Sequence, residues 1–245
     1  MSAVIINADD FGLNGHNSKA IAGAFAKGLI TDTTMMATGD YFDEAAALAR
    51  EQGFIDRIGI HLNLTEGEPL TEDIKDCPRF VNSGRFYKPY APVKDLTAGE
   101  TDAVYRELTA QVERIKAAGI VITHADSHHY IHNNPFLAPV VMRVCRESGI
   151  RRIRLQRNLG SATGFEENNR FWREHGFITT AYFGRMSDIA DGEIPGITEI
   201  MVHPDFDRNG SLIDRRGAED GYPAGELLRD CKANGVTLLS YRDLA

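Results

Sequence analysis

Thr97-Ala98-Gly99-Glu100 opens the stretch that decides the fold, and Gly119-Ile120-Val121-Ile122-Thr123 closes it. The first four residues have capping-box spacing, in which a Thr hydroxyl and a Glu carboxylate each satisfy a backbone N–H of the other. Val104, Leu108, Val112 and Ile115 then recur on one helical face, and Gly119 stops the helix. Residues 120–123 follow as a short apolar run and read as a buried strand. The same alternation extends in both directions from this unit. Val4-Ile5-Ile6 leads to a helical stretch from Ile21 to Leu29, Thr33 to Met36 leads to one from Phe42 to Ala49, and Ile58 to Leu62 ends at a long loop. Pro135 and Pro139 fit only the first turn of a helix that carries Val141, Val144 and Cys145 and ends near Gly149. Further strands are expected at 152–155, 180–183, 198–202 and 236–240, the last preceded by a helix over about 226–233 that Asn234-Gly235 closes.

Most of these eight candidate strands are too apolar to keep one face in water, which suits a parallel sheet covered by helices. The expected fold class is α/β: a single TIM-like (β/α) barrel, irregular in places, with an open sheet as the alternative. No linker splits the chain, so residues 1–245 are expected to form one domain with a lid-like insertion at about 66–96. The first strand is not followed by G-x-G-x-x-G and the chain has no P-loop, which removes the main support for a nucleotide-binding reading. Composition narrows the function further. With 27 Lys plus Arg against 35 Asp plus Glu, the formal charge is -8, so no diffuse basic field draws the chain to nucleic acid or to a membrane surface. No signal peptide and no spanning apolar run are visible, and a cytoplasmic location is expected. Cys77, Cys145 and Cys231 form no paired motif, which argues against a disulfide framework and a thiolate zinc site.

In either architecture functional groups collect past the C-terminal ends of the strands. Those ends carry Asp9-Asp10-Phe11-Gly12, His61-Leu62-Asn63, a run from His124 to His132 with four of the eight histidines, Arg154, and His203-Pro204-Asp205. Each has an ordinary reading in isolation. Asp10 could cap a helix, His61 could be a satisfied core residue, and His129 and His132 could be solvated loop residues. His16 and His175 lie where nothing polar converges and read as structural. The coincidence at one rim carries the argument. One Asp with two His is a recurring ligand set for a divalent ion that keeps positions open for water and substrate. A neighbouring carboxylate that does not reach the ion is free to act as a base. Asp126 is expected to orient a neighbouring imidazole.

The motifs Asn7-Ala8-Asp9-Asp10-Phe11-Gly12, Gly59-Ile60-His61-Leu62-Asn63-Leu64-Thr65, the run Thr123 to His132, and Glu199-Ile200-Met201-Val202-His203-Pro204 resemble those of the YdjC-like carbohydrate deacetylases, which include chitooligosaccharide deacetylases. The resemblance runs from the first strand to at least Pro204. It implies a barrel related to the NodB-type polysaccharide deacetylases and a hydrolase that removes acetyl groups from N-acetylated sugars. Carried over by position, Asp10, His61 and His128 would hold one divalent ion, Mg2+ or Zn2+, with Asp9 as catalytic base and His203 as general acid. His124 is the residue that would stand in if His128 were misassigned, and is otherwise placed with Asp126 behind the ligands. Arg154 could pair with Asp9 or touch the substrate.

The segment 66–96 holds Phe80, Phe86, Tyr87 and Tyr90, too many aromatics for a solvated linker. Tyr87 and Tyr90 are expected to present ring faces to a sugar, with packing on the barrel flank or pairing of two subunits as the alternative. The expected partner is a small N-acetylated saccharide, and a homodimer is compatible with the sequence. Rival readings are a metal-dependent phosphoesterase or isomerase on the same barrel, and a metal-containing sugar-binding protein without turnover.

Overall fold

The computed structural model describes residues 2–88, 93–189, 194–216, 229, 231, 233 and 235–245. Tyr90 and most of the helix expected over 226–233 lie outside the described residues.

In chain order the elements are β1 (Ala3–Phe11), α1 (Gly15–Ala26), β2 (Asp32–Met35), α2 (Phe42–Glu51), β3 (Ile58–Leu62), β4 (Val81–Asn82), β5 (Arg85–Phe86), α3 (Ala98–Ala117), β6 (Ala125–Ser127), α4 (Ala138–Glu147), α5 (Glu166–Glu174), β7 (Tyr182–Arg185), β8 (Ile197–Val202), β9 (Pro204–Phe206), β10 (Leu212–Asp214) and β11 (Thr237–Leu238). Six strands form a wholly parallel sheet in the order β6-β3-β2-β1-β8-β7, and β11 adds to the start of β1. The gap between the outer strands β6 and β7 is bridged irregularly by residues 151–158. Ala125 pairs with Ile153, Arg152 with Ile178, and the Asn158 N–H donates to the Phe183 carbonyl. The result is an irregular TIM-like α/β fold. Every residue of β1 is buried, as a central strand covered on both faces requires.

Thr97 caps α3 with the expected reciprocal box, its hydroxyl accepting from the Glu100 N–H and the Glu100 carboxylate accepting from the Thr97 N–H. Pro139 lies in the first turn of α4. Several boundaries differ from the sequence reading: the first helix is Gly15–Ala26 in place of the stretch from Ile21 to Leu29, and Pro135 lies in the turn before α4. Residues 120–123 are not a strand; pairing with β3 is carried by β6, two to four residues later. His124 therefore precedes the strand instead of following it, which places it deep in the sheet. Residues 152–155 contribute only isolated bridges because that segment spans two edges that do not run parallel for long.

The Phe80 and Phe86 rings are buried in the main hydrophobic core, which also takes in Ile74 and Val81. These aromatics fasten the 66–88 segment to the barrel flank and present no face to a ligand. Below the sheet, a small cluster of Ile5, Tyr241 and Leu244 fills the N-terminal end of the barrel.

Candidate active site

β1 does not end as a regular strand. Its register with β2 shifts between Ala8 and Phe11, and Asp10 adopts φ 72°, a left-handed conformation that Asp tolerates better than most residues. Alternation would send Asp9 and Asp10 to opposite faces. The bulge turns both carboxylates toward one cavity of about 490 Å³. Asp10 is not a helix cap, because the side chain of Asn14 caps α1.

Asp10, His61 and His128 converge. Oδ1 of Asp10 lies 3.3 Å from His61 Nε2 and 3.0 Å from His128 Nδ1. One ligand atom from each residue fits within a 4.8 Å span. The other nitrogen of His61, Nδ1, meets Asp126 Oδ1 at 2.6 Å, and Asp126 is held in turn by the Thr34 hydroxyl and Arg154. This pairing tests whether a cation fits. If His61 gives its one proton to Asp126, the Nε2 lone pair faces an Asp10 lone pair, and a positive charge must sit between them. His128 poses the same demand, since its one proton can serve Asp10 or, through Nε2 at 2.9 Å, Glu66 Oε2, but not both. One divalent ion among these donors answers in place of protons, and the N/O donor set suits such an ion. Burial works against charge on His61, yet Asp126 and Asp10 push it up to about 10, and burial of Asp10 is outweighed by His128 and His61, which hold it well below the carboxylate range.

Asp9 sits beside this cluster in a different setting. Arg154 donates from Nη1 and Nη2 to its two oxygens at 2.8 and 2.7 Å, and Asn7 Nδ2 donates to Oδ1 at 3.0 Å. Burial would raise the Asp9 pKa, but Arg154 overrides it and brings it down to about 2. Arg154 also reaches Asp126 and Glu199 and is 0% exposed, so of its two open roles it takes the pairing with Asp9, and substrate cannot touch it. His203 faces the cluster from β8, its Nε2 3.9 Å from Asp10 Oδ2. Burial pushes it down to about 4, against the pull of Asp9 and Asp10, and its buried Nδ1 has no hydrogen-bond partner among the described residues.

The remaining expected residues are placed differently. His124 lies outside the ligand cluster: its Nε2 bonds Asn7 Oδ1 at 3.1 Å, so it touches Asp9 only through Asn7. Tyr87 donates its hydroxyl to the Pro78 carbonyl and does not line the cavity. The cavity wall instead carries Glu66, Lys88, Tyr130, Arg185 and Arg215, none of which the sequence singled out. His129 and Tyr130 both hold left-handed backbone, at φ 52° and 58°, directly after His128. Two such non-glycine residues in succession are strained, and this turn swings Tyr130 over the cavity. His132 is buried against Ser127 away from the cavity, and His16 pairs with Asp205.

The sequence profile of YdjC-like proteins matches residues 3–230. The chain belongs to the YdjC-like family. Within reach of this YdjC-like chain is a carbohydrate deacetylase of Brevibacillus brevis, 32% identical over 214 residues that cover 83% of the chain and 81% of the relative. A chitooligosaccharide deacetylase of Salmonella typhimurium is 33% identical over 215 residues, with the same coverage of 83% and 81%. Among solved structures, a protein of Enterococcus faecalis V583, whose name carries a provisional assignment to cellobiose-phosphate cleavage, superposes with a TM-score of 0.73 at 24% identity, covering 98% of this chain and 97% of its own. A Streptococcus mutans CE4 esterase gives 0.52 at 13% identity over 97% and 84% of the two chains, a likeness of fold.

Proposed function

We propose that this YdjC-like protein is a metal-dependent hydrolase that removes the acetyl group from N-acetylated saccharides of the N-acetylglucosamine type. The observation that carries the reading is one cavity shared by a three-residue cation site, a second carboxylate kept off that site, and an imidazole facing both. The names of the two deacetylase relatives support the same class.

In this reading Asp10, His61 and His128 hold a divalent ion, which supplies Lewis acidity and lowers the pKa of water at the site. Asp9 takes the proton of the attacking water. Arg154 keeps Asp9 ionised and prevents its carboxylate from turning toward the cation ligands. Amines leave poorly unless protonated, and His203, just past the end of the neighbouring strand β8, delivers that proton to the departing nitrogen. Burial favours the neutral imidazole of His203, so the proton it passes on is one taken up from solvent as negative charge grows on the attacked carbonyl oxygen. A binding protein without turnover has no use for Asp9 and His203 in these positions. Acetate release from N-acetylated chitooligosaccharides, abolished by a chelator and restored by added metal, tests the assignment; no acetate with zinc, manganese, cobalt or magnesium overturns it.

A finer reading of the substrate rests on the wall. Lys88, Arg185, Arg215 and Arg216 line the cavity, and the buried Nε of Arg185 has no acceptor among the described residues. Such donors fit a saccharide that carries an anionic group, with the Tyr130 ring offering an apolar face to the pyranose. Comparing one N-acetylated disaccharide with and without a phosphate group separates this reading from a neutral substrate.

A further inference from the structure

We propose that Tyr241 is a positioning residue for Asp9, holding the carboxylate from the closed end of the barrel through two separate hydrogen-bonded arms. The proposal rests on the assignment of Asp9 as base. Tyr241 begins the single turn Tyr241–Asp243 and is 0% exposed. Its place is fixed by Asp32 at the start of β2, whose Oδ1 accepts from the Tyr241 N–H at 3.2 Å and from the Ser240 hydroxyl at 2.8 Å.

The first arm starts at the phenol. Its O–H donates to Glu199 Oε2, and Glu199 Oε1 accepts from Arg154 Nε at 2.8 Å. Arg154 then places its two terminal nitrogens on Asp9. The second arm starts at the ring. Tyr241 stacks on His124 with centroids 3.7 Å apart and planes 8° from parallel. The opposite side of that imidazole lies against Gly59 in β3, where a Cβ would fall 2.5 Å from Cε1, so the ring is clamped in one plane. His124 Nδ1 meets the Thr123 hydroxyl at 2.8 Å, which directs the Nε2 proton to Asn7 Oδ1, and Asn7 Nδ2 donates to Asp9 Oδ1. Both protein partners of Asp9, Arg154 and Asn7, thus trace back to one side chain more than two hundred residues away in sequence.

Packing alone does not account for this arrangement. A phenylalanine would fill the same space, whereas Glu199 is 0% exposed and each of its oxygens needs a donor. Without the phenol, Oε2 loses its partner, the carboxyl no longer guides the edge of the guanidinium, and the fork on Asp9 is free to swing.

The test uses Tyr241→Phe, Glu199→Gln and the double variant, with Val144→Ala on the buried face of α4 as a control for plain destabilisation. The expected result is a roughly tenfold fall in kcat on an N-acetylated chitooligosaccharide for Tyr241→Phe, with KM and calorimetric zinc affinity unchanged. The double variant falls no further than Glu199→Gln alone, because both act on one arm. Val144→Ala lowers Tm and keeps kcat. A crystal structure of Tyr241→Phe reads the effect without turnover, as a changed Asp9–Arg154 fork. An unchanged kcat and fork at lowered Tm overturn the proposal. Should the wild type release no acetate from any N-acetylated saccharide, the deacetylase assignment fails, and the fork in the variant structure still decides whether Tyr241 holds Asp9.

Discussion

Arg154 grips both oxygens of Asp9 from beneath, while the neighbouring carboxylate of Asp10 is left to two imidazoles. Adjacent residues of the same type are given opposite partners, and in the proposed mechanism that difference separates the base from the ligand. Asp9→Asn is therefore expected to keep zinc affinity within a fewfold and to lose turnover by roughly 10²-fold or more, the usual scale for a positioned base. Asp10→Asn is expected to lose the ion. Calorimetric zinc titration of the two variants checks this, and an exchanged pattern would require the roles to be exchanged.

Asp126 bonds His61 Nδ1 and also touches Arg154, so in the proposed mechanism it serves ligand and base together. Asp126→Asn should lower zinc affinity by about 10- to 100-fold through His61. The measurement is a competition titration against a chelating dye. Wild-type affinity in the variant would mean that His61 needs no such anchor.

The wall residues should act on binding more than on chemistry. Arg185→Met is expected to raise KM for a phosphorylated N-acetylated disaccharide by about tenfold or more and to change kcat little, since loss of a charge-assisted hydrogen bond removes about 1.5–3 kcal/mol. The unphosphorylated sugar should respond weakly. Tyr87→Ala should leave KM for short and long oligosaccharides alike, because its hydroxyl is committed to Pro78. A length-dependent rise in KM for that variant would return Tyr87 to the substrate path.

At the opposite end of the barrel, burial pushes the Asp32 carboxyl up to about 6 from an ordinary 3.8, and hydrogen bonds from Ser240 and the Tyr241 N–H only partly restrain it. Its Oδ2 has no partner among the described residues. The unfolded chain releases this proton near pH 3.8 and the folded chain near 6. The resulting stabilisation is full below about pH 4 and is lost as pH rises through 6, an order of about 3 kcal/mol. Asp32→Asn should thus gain on the wild type between pH 4 and pH 7 in urea unfolding. A gap that stays constant with pH would show that Asp32 does not titrate this way.

How much of this was readable in advance depended on how local each cause is. Helix α3 followed from Thr97 and Glu100 because a cap is satisfied within four residues. Asp9, Asp10, His61, His128 and His203 could be gathered because strand ends in an α/β sheet point to one rim. His124 lies behind the ligand cluster, where it was placed with Asp126, but its bond to Asn7 was not readable, because that contact joins residues 117 positions apart. Phe80 and Phe86 went to the core because composition alone does not say which way a ring faces. Glu199 left a faint signal, a lone carboxylate in an apolar strand, since such a charge is seldom buried without a partner. Nothing in the local sequence pointed to Tyr241, whose partners are contributed by β2, β8 and the approach to β6.

The groups that hold Asp9 hang on β1, β8 and the segments beside β6, whereas much of the wall comes from connections, Glu66 and Lys88 from one and Arg215 from another, with Arg185 at the end of β7. For protein engineering this makes the scaffold modular. With the buried anchors Ile74, Phe80, Val81 and Phe86 kept, the exposed wall positions Lys88 and Arg215 can be exchanged, and under the proposed function this should shift the preferred sugar while the groups around Asp9 stay in place.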